Sequence, residues 1–245
     1  MDSRQTEPQP QATAREPRML GRQIVARVAG LLLVAVAVPF VSAGTFDWPA
    51  AWAYVAITLI ITVGSRLVLL RRNPELAAER AAHAEKRDAK PWDRVLMPLV
   101  AIYGPLATLV VAGLDRRFGW RPETPPGLAL IAAALLVLAS AFSAHAMLTN
   151  RFFSGVVRIQ HDRGHTVVTA GPYRWVRHPG YAGGVVGHMA LPLLLGSFWA
   201  LIPGVLTAGL TVLRTALEDR TLCAELPGYA EYARRTRYRL LPGVW

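Results

Sequence analysis

Residues 178–213 of this 245-residue chain run HPGYAGGVVGHMALPLLLGSFWALIPGVLTAGLTVL and contain no Asp, Glu, Lys or Arg. A membrane-spanning helix needs about 20 mostly apolar residues, so this stretch is too long for one upright helix. Gly196-Ser197 and Pro203-Gly204 interrupt it, and such pairs are typical of turns. We therefore expect a helix–turn–helix hairpin with membrane segments over 181–195 and 199–213.

Four further stretches upstream have the same apolar character. They cover residues 28–46, 48–65, 95–114 and 122–150, the last interrupted only by Glu123. Apolar residues make up 53% of the chain and charged residues only 18%, against roughly a quarter charged in soluble domains. The sequence therefore predicts an all-α, polytopic membrane bundle of about six segments that ends in the helical hairpin.

The basic residues predict how this bundle is oriented. The chain has 27 Lys and Arg against 16 Asp and Glu, a formal net charge of +11. Three of these basic residues lie between the third and fourth apolar stretches, whereas the other 24 lie in 1–27, 66–94, 151–177 and 214–245. Because cytoplasmic segments of membrane proteins are rich in Lys and Arg, we expect both chain termini to be cytoplasmic.

Charge and cysteine content also limit the partners. A nucleic-acid binder would explain the positive charge but not the apolar runs, so we expect membrane lipids as partners and no nucleic acid. Cys223 is the only cysteine. A single cysteine excludes a disulfide framework and a CxxC-type zinc or haem site, and we expect no metal.

Composition divides the chain into three parts. Residues 1–20 lack an apolar period and are predicted to be a disordered tail. A cleaved signal peptide is the alternative, but the long N-terminal segment that contains acidic residues argues against it. N-terminal membrane helices follow over 21–148 and include a cytoplasmic charged loop, 71–94. Within that loop, residues 73–88 are expected to form an exposed charged helix. The third part, 149–245, carries the residues of chemical interest.

The segment RIQHDRGHTVVTAGPYRWVRHPGY, residues 158–181, differs from everything before it. Histidines, tyrosines and arginines lie close together here, and Gly171-Pro172 and Pro179-Gly180 are turn signals that bring their neighbours together. This density of polar and aromatic groups at a membrane face favours a binding site. A basic loop whose aromatic residues form an interfacial belt remains the alternative from composition alone.

A second polar cluster follows the hairpin. Arg214 and Glu218 are one turn apart if the last membrane helix continues, and a surface ion pair would explain them. However, ionisable groups where a helix leaves the bilayer are functional candidates. A guanidinium there is costly unless it is paired, and we expect an incoming ligand carboxylate to complete the pairing of Arg214.

These residues, taken in order, resemble the isoprenylcysteine carboxyl methyltransferase family, which is itself similar to membrane phospholipid methyltransferases. The resemblance rests on the order HxVVTxGPYRxxRHPxY over 165–181, RxxxED over 214–219 and YxxY over 229–232. It extends to NPELxxER over 73–80 and KxWDR over 90–94.

The resemblance implies that 149–245 is the catalytic region of an S-adenosylmethionine-dependent methyltransferase with a cytoplasmic cofactor pocket. It implies these donor-binding residues: Gln160, His165, Thr166, Val167, Val168, Tyr173, His178, Pro179, Gly180, Tyr181 and Glu218. Arg214 would face the methyl acceptor, and Arg214 and Glu218 are the predicted catalytic residues. Because an arginine fork suits a carboxylate, we expect O-methylation of a lipophilic, isoprenylcysteine-like small molecule. Methylation of a lipid amine or of a thiol stays open.

The sequence also departs from the family pattern. Asp219 stands where many relatives have a second glutamate, and Gly180 stands where eukaryotic prenylcysteine enzymes carry serine. Membrane sterol reductases share a similar tail with Arg-His-Pro-Asn-Tyr and a glutamate shortly after, positions that Gly180 and Gly184 occupy here. These two glycines distinguish this chain from the NADPH-dependent reductases, which are one alternative from another class. A non-catalytic membrane scaffold is the other alternative. No GxGxxG motif follows a strand-like run, so the soluble dinucleotide-binding fold is not expected.

Overall fold

The structure is a computed structural model that describes residues 26, 29–30, 33–81, 89–120 and 125–245. Within those ranges helices and short helical turns form all the regular secondary structure, which confirms the predicted all-α class. The predicted tail, 1–20, lies outside the described residues, and so do residues 82–88 of the charged loop.

Helices form most of the described chain, and a long loop, residues 150–178, precedes the hairpin. In chain order they are α1 (Leu33–Ala43), α2 (Pro49–Arg72), α3 (Pro74–Ala81), α4 (Asp93–Pro98), α5 (Gly104–Phe118), α6 (Pro126–Thr149), α7 (Pro179–Leu194), α8 (Leu201–Glu225) and α9 (Tyr229–Arg235). A π-helical turn, Leu99–Tyr103, joins α4 to α5 without a break and directly follows Pro98, which lacks the N–H of a regular helical hydrogen bond.

Four helices in the described part are long and apolar enough to cross a membrane: α2, the continuous α4–α5 helix, α6 and α8. Large apolar side chains on them, such as Leu130, Ile131 and Leu138 of α6, are exposed where lipid would cover them. The chain is therefore an integral membrane protein. Helix α7 has 16 residues, about 24 Å at the usual rise and less than the ~30 Å hydrocarbon core, so the total of six segments stays a prediction.

The hairpin is present, but its second helix differs from the prediction. Helix α8 begins at Leu201 and continues to Glu225, well beyond the predicted end at residue 213. Pro203 does not interrupt it, because a proline in the first helical turn removes an N–H that has no helical partner. The extension carries Arg214 and Glu218 past the apolar part of the helix.

Helix α3, described over Pro74–Ala81, is more buried than the predicted exposed helix over 73–88, of which residues 82–88 lie outside the described part of the chain. The Leu76 N–H donates to Asn73 Oδ1 at 3.0 Å, which satisfies one of the free donors at the helix start. Leu76 and Ala77 are buried against Leu69 and Met147. The expectation of an exposed helix is therefore wrong for this face, because the NPEL sequence places an apolar pair toward α2 and α6.

Close packing of α6 and α7 depends on a small residue. A Cβ atom at Gly183 would lie 2.4 Å from the Ala139 carbonyl oxygen, a distance that two atoms cannot share. Small residues at such crossings let helix backbones approach in the membrane. This contact holds the start of α7, and with it the His178–Tyr181 turn, against α6.

Cysteine labelling checks the predicted orientation. In a Cys223→Ser background, Ala230→Cys is expected to be shielded from a membrane-impermeant maleimide in intact cells, whereas Trp120→Cys is expected to react, since both positions are exposed on the chain. Permeabilised cells, in which both positions must react, are the control. Labelling of residue 230 but not of residue 120 in intact cells would reverse the orientation.

Candidate active site

The long loop between α6 and α7 and the C-terminal tail form one unit. Two short 3-10 helices, His161–Arg163 and Gly171–Arg174, shape the loop. Its end is fixed to the tail by backbone bonds, since the Arg177 and His178 N–H groups donate to the carbonyls of residues 238 and 239, each at 2.9 Å. The loop therefore has a defined path over the end of the bundle.

A cavity of about 380 Å³ lies where this loop meets the start of α7 and the C-terminal half of α8. This volume is within the range of about 300–1,000 Å³ that is usual for small-molecule sites. Nearly all the predicted site residues line it: Gln160, His165, Thr166, Val167, Val168, Tyr173, His178, Gly180, Tyr181, Arg214 and Glu218. Pro179 does not, because it is fully buried in the first turn of α7.

Glu218 and Tyr181 join the two predicted clusters. The Tyr181 hydroxyl donates to Glu218 Oε2 at 2.5 Å, although 37 residues separate them in the chain. The Tyr181 ring also stacks with the His178 ring, with centroids 5.9 Å apart. The RHPxY turn and the RxxxED segment thus form one wall of the cavity.

Arg214 lies in the same wall, but its guanidinium is already paired. Its Nε and Nη2 donate to the two carboxylate oxygens of Asp93 at 2.6 and 3.0 Å, and Nη2 also donates to the Gly155 carbonyl at 3.2 Å. The expectation that an incoming carboxylate completes this pairing is wrong, because buried Asp93 supplies the negative charge. Nη1 makes no hydrogen bond with any residue that the structure describes.

Residues 166–169 offer backbone groups to the cavity. This segment has no regular structure, and its N–H and C=O groups make no hydrogen bond within the described part of the chain. The Val167 side chain packs on a cluster that contains Tyr229 and Tyr232, which fixes the segment in place. Backbone groups require partners, so this segment can bind the polar edge of a ligand.

His165 and Gln160 organise the loop around Phe152. The His165 ring packs against the Phe152 ring at an interplanar angle of 38°, with centroids 4.6 Å apart, and its Nδ1 accepts the Gln160 N–H at 3.4 Å. The Gln160 side chain donates to the Phe152 carbonyl at 2.6 Å and accepts from Arg163 at 2.6 Å. Burial, together with the charges of Arg158 and Arg163, lowers the pKa of His165 to about 4, so its ring is neutral near neutral pH.

Asp219 lies behind the cavity wall and accepts hydrogen bonds from several side chains. Arg177 donates Nε and Nη2 to its two oxygens at 2.8 and 2.9 Å, and Arg239 Nε donates to Oδ2 at 2.8 Å. The Tyr229 hydroxyl donates to Oδ1 at 3.0 Å, and His178 Nε2 lies 3.1 Å from the same oxygen. Asp219 is thus the point where the RHPxY turn, α8, α9 and the C-terminal tail meet.

Gly180 makes room for an aromatic ring. A Cβ atom at this position would lie 2.8 Å from the Phe153 ring, so the serine of prenylcysteine enzymes would force Phe153 to move. The Arg80 guanidinium lies over the Phe153 ring, 5.3 Å from its centroid, and Nη1 donates to the Phe153 carbonyl at 3.2 Å. Burial and nearby Arg66 lower the pKa of Arg80 to about 10. Helix α3 therefore adds a cation to the cavity wall.

Three residues that shape this site were not predicted from the sequence: Asp93, Arg80, and Asp219, which accepts hydrogen bonds from several side chains. Asp93 precedes its partner Arg214 by 121 residues, so no local spacing links them. The KxWDR and NPELxxER motifs were the available signals, since each contains one of the missed residues. Asp219 belonged to the RxxxED motif, but its several partners come from three separate elements.

Comparison with known proteins agrees with this arrangement. The sequence model of the isoprenylcysteine carboxyl methyltransferase (ICMT) family matches residues 131–224, from the second turn of α6 to the end of α8. The matched region is similar to this family. The match confirms the predicted resemblance and contains all the predicted site residues, whereas Arg80, Asp93 and the C-terminal tail lie outside it.

One similar protein has a name that refers to metal resistance and not to methyl transfer. The cobalt-zinc-cadmium resistance protein CzcN of Cupriavidus metallidurans is 36% identical to this chain over 77 residues. The match covers 30% of this chain and 35% of that protein, so the chain matches about a third of that relative's length. Among the residues that the structure describes, no group of three His, Cys, Asp or Glu side chains is placed to hold a metal ion.

Two ion pairs between residues 90–93 and α8 give a matched test of the buried Arg214–Asp93 pair. Asp93→Asn leaves a buried guanidinium without its counter-charge, and we expect a loss of about 3–5 kcal/mol in stability. Glu225→Gln breaks the partly exposed pair with Lys90 and is expected to change stability by about 1 kcal/mol or less. Thermal unfolding in one detergent measures both. Equal effects of the two substitutions would contradict the structural role given to Asp93.

Proposed function

We propose that this chain is a membrane methyltransferase that uses S-adenosylmethionine to O-methylate a carboxylate on a lipophilic, isoprenylcysteine-like small molecule. The observation that carries this proposal is that the residues implied by the family resemblance come together on one cavity, with Glu218 and the Tyr181 hydroxyl in contact. The similarity of residues 131–224 to the ICMT family supports the same reaction class.

The chemistry of the cavity wall fits S-adenosylmethionine. That molecule has a planar base, a ribose diol, an ammonium group and a positively charged sulfur. The unpaired backbone of 166–169 and the rings of Tyr173 and His165 suit the base, while Glu218 suits the diol or the ammonium. These features support this donor over a ligand without positive charge.

Charge compensation around the cavity supports a cationic ligand as well. Three of the lining arginines are each paired with an aspartate: Arg158 with Asp162, Arg177 with Asp219 and Arg214 with Asp93. Glu218 instead accepts a hydrogen bond from a neutral hydroxyl. Its negative charge is therefore available to a cation at the cavity wall.

The proposed reaction requires no general acid or base from the protein. S-adenosylmethionine, when bound, supplies a methyl group on a positively charged sulfur. A carboxylate acceptor is ionised at neutral pH and needs no general base. We therefore assign Glu218 and the loop backbone to holding the donor, and Arg214 Nη1 to orienting the acceptor. Enclosure of the cavity by the loop excludes water from the line of transfer.

The part of the cavity wall that comes from α2, α3 and the α4–α5 helix supports a lipophilic, acidic acceptor. Arg66 comes from α2, and Met97 and Ala101 come from the α4–α5 helix around its π-helical turn. Both helices are long and apolar enough to span the membrane. A ligand that arrives from lipid with an apolar tail would therefore meet apolar side chains and, at Arg66, Arg80 and Arg214, guanidinium groups.

Calorimetry with S-adenosylhomocysteine tests the donor site. Wild-type protein in detergent is expected to bind it, and Glu218→Gln is expected to weaken binding by about 1.5–3 kcal/mol, because a charged hydrogen bond is lost. Glu225→Gln, a partly exposed acid two turns along α8, is the matched control and should bind normally. Binding of NADPH without S-adenosylhomocysteine would support the reductase instead, and unchanged affinity in Glu218→Gln would remove that residue from the site.

Methyl transfer to a prenylated cysteine tests the acceptor group. Transfer of labelled methyl is expected to the free carboxylate and not to the matching amide, because only the carboxylate is a nucleophilic oxyanion. Arg214→Lys is expected to reduce this transfer at least tenfold while S-adenosylhomocysteine binding persists, since the single lysine nitrogen can pair with Asp93 but leaves no second donor in the place of Nη1. Equal transfer to the amide, or parallel loss of donor binding in Arg214→Lys, would contradict the assignment.

A further inference from the structure

The buried Asp219 cluster determines which nitrogen of His178 carries the proton. Asp219 accepts hydrogen bonds from two arginines, so its carboxylate is a charged acceptor that has no proton to donate. His178 Nε2 lies 3.1 Å from Asp219 Oδ1. A bare nitrogen lone pair at that distance from a carboxylate oxygen would be repelled, so Nε2 carries the proton and donates it to Asp219.

The Tyr229 hydroxyl allows no other arrangement at Nε2. It lies 3.2 Å from His178 Nε2 and 3.0 Å from Asp219 Oδ1. Donation from the hydroxyl to Asp219 and from Nε2 to the same carboxylate satisfies all three groups. Donation from the hydroxyl to Nε2 would leave two acceptors in contact between His178 and Asp219.

His178 Nδ1 is consequently left as a hydrogen-bond acceptor. It makes no hydrogen bond with any residue in the described part of the chain, and the ring lines the cavity while only 6% of the residue is exposed. A neutral ring with its proton on Nε2 can only accept at Nδ1. The ligand atom opposite it must therefore be a donor.

We propose that Asp219 is a positioning residue that fixes His178 as the Nε2–H tautomer, so that Nδ1 accepts a hydrogen bond from an N–H group of the bound methyl donor. This inference rests on the proposed function for the identity of the ligand. Such N–H groups are present in two places on that ligand: the amino group of the adenine and the ammonium of the amino-acid part.

Two analogues of S-adenosylhomocysteine distinguish these sources. In one, an oxygen replaces the adenine amino group; in the other, the ammonium group is absent. Wild-type protein is expected to bind one of them about tenfold more weakly than S-adenosylhomocysteine, because a single hydrogen bond to Nδ1 is lost. The group that contacts His178 is the one whose removal weakens binding in the wild type but not in Asp219→Asn, because a group held by Glu218 or by the loop backbone would show the same loss in both proteins.

Asp219→Asn tests the positioning role. The asparagine amide can donate to Nε2 and move the ring proton to Nδ1, so we expect S-adenosylhomocysteine binding to weaken about tenfold or more and the preference over the sensitive analogue to disappear. Arg239→Lys is the matched control, because Arg239 contacts Asp219 Oδ2 but not His178. This variant is expected to keep the analogue preference, whatever its melting temperature.

Three outcomes would overturn the inference. Wild-type affinity in Asp219→Asn would do so, as would equal weakening of all three ligands, which a merely structural role would produce. NMR of isotopically labelled histidine ring nitrogens in the wild type, assigned with His178→Gln, gives a test that does not require Asp219→Asn to fold. A proton on Nδ1 would overturn it. Failure of wild-type protein to bind S-adenosylhomocysteine would instead overturn the proposed function, and the ligand part of this inference with it.

Discussion

The buried ion pair between Asp93 and Arg214 is the interaction on which the rest of the candidate site depends. Two buried charges lose their hydration, and the loss is offset only when geometry and further hydrogen bonds are good. Here the arginine fork meets both carboxylate oxygens, and Asp93 also accepts the Val157 N–H at 2.7 Å. One carboxylate thus ties the start of α4, the long loop and α8 together.

A second buried aspartate, Asp219, pairs with an arginine of the cavity wall in the same way. Asp219 holds the RHPxY turn, α9 and the C-terminal tail, as Asp93 holds the loop and α8. Both aspartates lie behind the wall, and both neutralise an arginine that would otherwise make the cavity strongly positive. Glu218 is left with a neutral partner, so the electrostatics of the cavity suit a ligand with positive charge near Glu218.

The family region alone does not complete this arrangement. Several contacts of the site involve residues outside 131–224. Arg80 contacts the long loop, Asp93 contacts Arg214, and the tail from residue 229 onward contacts Asp219. The predicted site residues that line the cavity lie within residues 131–224, whereas α2, α3 and the α4–α5 helix add Arg66, Arg80, Met97 and Ala101 to its wall. Relatives that match only this region can therefore differ in that part of the wall.

Much of this architecture could be predicted from the sequence, for physical reasons that also explain the failures. Apolar runs located the long helices and the hairpin, because length and hydropathy determine which segments can span a bilayer. The buried face of α3 was predicted wrongly, since charge suggested exposure where tertiary partners allow burial. The ordered motif identified the residues that line the cavity, but spacing could not reveal that Asp93 and Asp219 would pair with distant arginines.

An experimental structure of the protein with S-adenosylhomocysteine tests the central claim most directly. The account predicts ligand density in the cavity between residues 166–169 and α8, with a polar ligand atom within hydrogen-bond distance of Glu218. Ligand density elsewhere, or a bound ligand that makes no contact with Glu218 or His178, would contradict it.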